Sequence, residues 1–112
     1  MPQTTISLTA EIDAILRQFG FNFGKLSESG YLEYVSEGSH RAVVKSFIET
    51  YGREGPHVNV KMETTNDVRR KFSDKLEASK IRYKINYTSV IEKKSANSPT
   101  EETHILVYPR TP

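Results

Sequence analysis

Between Asn66 and Lys94 the chain reads as one amphipathic helix running straight into one long alternating strand, and any fold must house both. In the helical part Val68, Phe72 and Leu76 fall at i, i+4 and i+8, a single apolar stripe behind a cap at Thr65 or Asn66. In the strand part Ile81, Tyr83, Ile85, Tyr87 and Ile91 alternate with Arg82, Lys84, Asn86 and Thr88. Period two predicts the first set buried and the second exposed. A striped helix and a one-faced strand bury their apolar sides best as a helix layer on a sheet. No Gly or Pro lies between Leu76 and Ile81, so nothing in the sequence marks the join.

The remaining segments fit such a layer. Thr4 to Leu8 contains β-formers and reads as a short first strand, after which Thr9 sits where an N-cap belongs. Ile12, Ile15, Leu16 and Phe19 then form a helical stripe closed by Gly20. Phe21 to Leu26 and Tyr31 to Val35 flank the turn Ser27-Glu28-Ser29-Gly30 and read as a hairpin. Tyr31 and Tyr34 differ in strand parity, so one of the two rings faces out. Ser39 reads as the cap of a second helix carrying Val43, Val44, Phe47, Ile48 and Tyr51 and closed by Gly52. After the turn Arg53-Glu54-Gly55-Pro56, Val58, Val60 and Met62 alternate with Asn59, Lys61 and Glu63, a half-buried strand. Ser95 to Glu102 is polar and reads as an exposed loop, and His104 to Tyr108 as the last strand of a hairpin.

The expected fold is therefore a single α+β domain over residues 1–112. Three helices pack on one mostly antiparallel sheet of four to six strands in the order (β)αββαβαββ. Its first two thirds resemble the strand and helix order of a ferredoxin-like sandwich, a likeness of topology that carries no function.

The charge is unevenly divided. The net charge of +2 hides nine cations against three acids from Arg69 to Lys94, and seven against eleven elsewhere. On the helix Arg69 and Lys80 lie along one flank of the stripe, and Lys71 and Lys75 along the other. Arg82 and Lys84 share one face of the strand. Long cations that approach a phosphate backbone together, with polar neighbours, are what nucleic-acid contact requires. The same residues also suit a merely solvated surface.

Other chemistries lack their residues. With no Cys there is no disulfide or thiolate metal site, which fits a cytoplasmic protein. His40, His57 and His104 share no ligand spacing, so no metal or other cofactor is expected. No apolar run reaches the roughly 20 residues of a membrane helix. The start Met1-Pro2-Gln3-Thr4-Thr5 has no basic or apolar leader, so neither membrane nor secretion is expected. No nucleophile, base and orienting acid are signalled together, so catalysis is not expected.

The expectation is a small non-enzymatic binding protein. Arg69, Lys71, Lys75, Lys80, Arg82 and Lys84 would engage DNA or RNA. The alternative is an interaction or inhibitor protein, of the kind phage and mobile elements encode, that regulates a protein complex through an acidic protein partner.

Overall fold

The computed structural model describes residues 5–36, 40–47, 56–92 and 100–110; the side chains of residues 5, 46, 47, 91 and 92 are not among what it describes. These form α1 (Thr5–Gln18), β1 (Asn22–Leu26), β2 (Leu32–Ser36), β3 (His40–Phe47), β4 (His57–Thr65), α2 (Asn66–Ala78), β5 (Tyr83–Glu92) and β6 (Thr100–Val107). The strands make one antiparallel sheet in the order β1-β2-β3-β4-β6-β5. Both helices touch β4 and each other, so they share one face of the sheet. The class is α+β, as the periodicities indicate, with two helices rather than three among the described residues.

The core lies between these layers. Leu8, Ile12, Ile15 and Leu16 of α1 and Phe72 and Leu76 of α2 pack on Tyr34, Val44, Val58, Val60, Met62 and Ile105. In β4 the alternation holds as read, with Val58, Val60 and Met62 buried and Asn59, Lys61 and Glu63 half-buried on the far side.

Four expectations need correction. From Thr5 on, the segment read as a first strand is the start of α1, because Leu8 extends the stripe one turn back and is fully buried. Thr9 is thus inside the helix rather than its cap. The second expected helix is strand β3, paired along both edges, with Val44 opposite Leu32 on one side and Val60 on the other. A ladder on each edge, over His40–Val44 with β2 and Arg41–Phe47 with β4, pairs its backbone, and the β-branched Val43-Val44 pair suits the pleat. Ser39, Ile48, Tyr51 and the closing Gly52 of that reading, with the turn at 53–55, lie outside the described residues. With β3 a strand, the first two thirds run αββββ, and the ferredoxin-like order does not hold.

The third correction concerns β5. Its register slips between Ile85 and Tyr87, so Tyr87 pairs with His104 on the far side instead of joining the core. Ile85 keeps the helix side, but β5 is an edge strand beyond the cover of α2, and Ile85 and Tyr87 are 40% and 47% exposed. Ile81 is buried and Tyr83 half-buried, while Arg82, Lys84, Asn86 and Thr88 are exposed as expected. Last, Thr100, Glu101 and Glu102 belong to β6 and pair with Thr65, Thr64 and Glu63. The rest of the expected loop, 95–99, lies outside the described residues.

Both helix-to-strand joins use the same device. After α1 the amide of Phe21 donates to the Leu16 carbonyl and that of Gly20 to Arg17, with Gly20 at φ +90°. After α2 the amide of Ile81 donates to Leu76 and that of Lys80 to Glu77, with Lys80 at φ +60°. Each is a Schellman ending whose following residue, Phe21 or Ile81, plugs into the core. Lys80 does without a glycine what Gly20 does with one, which is why the second join has no marker.

Candidate functional site

The helices leave one face of the sheet without cover from any described element. Strand parity puts on it Lys25, Glu33, Arg41, Val43, Lys45, Asn59, Lys61 and Glu63 from one half of the sheet. From the other half come Glu102, His104, Leu106, Lys84 and Tyr87.

A chain of ion pairs crosses this face. Glu33 takes Arg41 at 3.0 Å and Lys25 at 3.8 Å, and Arg41 reaches Glu63 at 4.0 Å. Lys61 bridges Glu63 at 3.5 Å and Glu102 at 3.4 Å. His104 Nε2 lies 3.6 Å from Glu102, and the Tyr87 hydroxyl donates to Glu102 at 2.8 Å. That hydrogen bond, and then Lys61, hold the Glu102 carboxyl below its ordinary value against the opposing pull of burial. Such exposed pairs contribute about 0–1 kcal/mol each, so the chain orders the face more than it stabilises the fold.

Aromatic rings stand among these charges. Tyr87 and His104 are stacked, with centroids 4.8 Å apart and planes 21° apart. Lys45 Nζ donates to the Tyr31 hydroxyl at 3.2 Å. The Arg82 guanidinium lies 5.3 Å from the centroid of Tyr108, whose own ring is 6.2 Å from that of His57. In the middle of the sheet Tyr31, Val43, Lys45, Asn59, Lys61 and His104 line a cleft of about 300 Å³.

The six cations singled out in the sequence are divided by this geometry. Arg69 is half-buried on α2, donating to Asn66 Oδ1 at 2.9 Å and Ser73 Oγ at 3.4 Å, and its Nε is buried without a partner among the described residues. Lys71 is exposed and pairs with Asp67 at 3.3 Å, and Lys75 is half-buried on the same helix. Lys80 and Arg82 come together at the end of α2, lining a second cleft with Pro109 and Arg110. Arg110 donates to both Glu11 oxygens at 2.7 Å, holding α1 to the chain's last described residues. Lys84 stands on the open face opposite Leu106, and Arg82, joined to Tyr108 two residues further along the same register, reaches the end of that face, away from Arg69, Lys71 and Lys75. The six therefore share no single surface.

Tyr31, Lys45, Asn59, Lys61, Tyr87 and His104 were not singled out. For Asn59 and Lys61 the signal was present, since the β4 alternation already turned them outward. Lys45 was hidden by the helical reading of β3, and Tyr87 by the register slip. Among the described residues no cluster of His, Asp or Glu could hold a metal ion. Among the same residues no helix is long and apolar enough to cross a membrane. No protein-family model matches the chain, and comparison with curated proteins and solved structures found no match.

Proposed function

We propose that the protein is a small non-enzymatic binding protein that takes nucleic acid on the uncovered face of its sheet. The observation that carries this reading is the interleaving there of Lys45, Lys61, Arg82 and Lys84 with the rings of Tyr31, Tyr87, His104 and Tyr108. Cations release counterions from phosphates, and rings offer faces to bases. Among the described residues Lys25 and Arg41 raise the cations of this face to six, against the three acids Glu33, Glu63 and Glu102. The cations of α2, Arg69, Lys71 and Lys75, lie on the helix layer and would add long-range attraction rather than contacts to the same footprint.

Fluorescence anisotropy with short labelled single- and double-stranded oligonucleotides tests it. Wild-type protein is expected to bind, with log affinity falling against log salt between about 50 and 200 mM. Arg82→Glu with Lys84→Glu should abolish that binding and keep the fold, while Lys71→Glu with Lys75→Glu should weaken it modestly. No binding at low salt would end the reading. Loss confined to the α2 variant would move the interface to the helix.

A protein partner is favoured by a different surface. Between α1 and β1, Ile6, Ala10, Phe23 and Leu32 line a mostly apolar groove, with Ile6 76% exposed and nearby Leu26 64% exposed. Contiguous apolar exposure of this kind is typical of protein contacts. A partner retained from a host extract after nuclease treatment, and lost with Ile6→Asp, would support that second reading.

A further inference from the structure

We propose that the central cleft seats one unstacked nucleobase of a single strand, as the next ring after Tyr87 and His104. This rests on the open face being the nucleic-acid surface. Neighbouring strands of a sheet lie about 4.7–4.9 Å apart, so rings standing at paired positions fall at stacking distance. Tyr87 on β5 and His104 on β6 do this, with centroids 4.8 Å apart. On β4 the residue paired with His104 is Lys61, flanked by Asn59 and bearing no ring. The stack stops there, and the cleft of about 300 Å³ opens at that place. A planar ring stacked on the cleft side of His104 would continue the series Tyr87, His104, base.

The surroundings suit a nucleotide more than a bare aromatic ring. Asn59 offers a half-buried carboxamide with donors and an acceptor, the complement of a base edge. Val43 supplies an apolar wall, and Lys45 and Lys61 stand on neighbouring strands within reach of phosphates on either side. No described element closes the face, so a strand can enter and leave the cleft. A duplex cannot use it, since its bases are already stacked and present their edges and not their faces.

The test compares three fluorescein-labelled probes of equal length: an oligothymidine, an abasic strand with the same phosphates, and a duplex. The oligothymidine is expected to bind about tenfold or more tighter than the abasic strand, the worth of one stacked base. His104→Ala and Asn59→Ala should each remove most of that difference and leave abasic binding unchanged, with thermal midpoints checked for folding. Thymidine monophosphate alone should bind weakly and compete with the oligothymidine. Equal binding of intact and abasic strands, or a preference for duplex, would overturn the cleft assignment and leave the face as a phosphate-binding surface. Failure of all three probes to bind would overturn the broader reading with it.

Discussion

Tyr34 shows how much one side chain carries here. It is buried on the helix side of β2, and its hydroxyl donates to Asp13 Oδ1 at 2.5 Å, tying the sheet to α1. Arg17 donates to the other oxygen of the same carboxylate at 2.9 Å. Burial alone would raise the Asp13 carboxyl, but the hydrogen bonds from Tyr34 and Arg17 outweigh it and hold the group below its ordinary value. Burial, and then the hydrogen bond to Asp13, push the Tyr34 phenol far up. A depressed carboxyl stabilises the fold above its unfolded pKa, and that share is lost as pH falls through the folded one. Tyr34→Phe should therefore cost about 1–2 kcal/mol at pH 7, as loss of a bond to a charged acceptor does. The gap to wild type should narrow as the pH is lowered past the ordinary carboxylate range. Urea titrations of both proteins at pH 7 and about pH 2.5 would check this, and a gap constant with pH would show that ionised Asp13 is not the acceptor. The inward turn of one of Tyr31 and Tyr34 was legible from strand parity. The role of Asp13 was not, because α1 begins a turn earlier than its apparent cap and places Asp13 beyond its first turn.

At the scale of elements, period-two runs with polar partners were legible and crowded ones were not. β4 alternates cleanly because one of its faces meets helices and the other carries polar and charged side chains. β3 sits between β2 and β4, with Val43 and Lys45 half-buried on the open face, so its apolar residues do not alternate and instead imitate a helical stripe. In β5 the alternation was real, but a slip of register at Asn86 changes the face of the residues from Tyr87 to Val90, before a second slip ahead of Glu92 reverses it. The end of α2 was illegible for a different reason, the left-handed Lys80 standing where glycine is usual. A side chain in that conformation costs about 1–2 kcal/mol relative to one without a Cβ, partly offset by the freedom glycine brings to the unfolded chain. Lys80→Gly should thus stabilise the protein by about 0.5–1 kcal/mol. Lys80→Val, with a β-branched residue at positive φ, should destabilise it by about 1 kcal/mol or more. Denaturation midpoints at unchanged slope would report both. Equal midpoints for Gly, Lys and Val at this position would exclude the left-handed turn.

At the scale of the molecule, the division of charge along the chain was legible, but the surface it makes was not. Sheet pairing draws Lys45 and Lys61 from acidic stretches onto the open face and leaves Arg69, Lys71 and Lys75 on the helix layer. It also places Glu63 directly opposite Glu102. Two like charges in that position repel each other. Lys61 resolves the conflict by reaching both carboxylates, at 3.5 and 3.4 Å, from the neighbouring pair. Both glutamate side chains are 20% exposed, so water screens their repulsion only in part. Lys61→Met keeps the apolar stem and removes the charge that separates them. The variant should lose about 1 kcal/mol at low ionic strength, the scale of a single ion-pair contact on a sheet. Its response to salt should also reverse in sign. In the wild type, salt screens attraction along the whole chain of pairs, so stability is expected to hold or fall slightly as ionic strength rises. In the variant, salt screens the Glu63–Glu102 repulsion, so stability should rise between about 0.05 and 1 M sodium chloride, where the screening length shortens to about 3 Å. Urea unfolding of both proteins at the two salt concentrations gives the comparison. A variant whose stability falls with salt in parallel with wild type would mean that Lys61 does not separate the two carboxylates, and that the open face is not held by a continuous chain of charge.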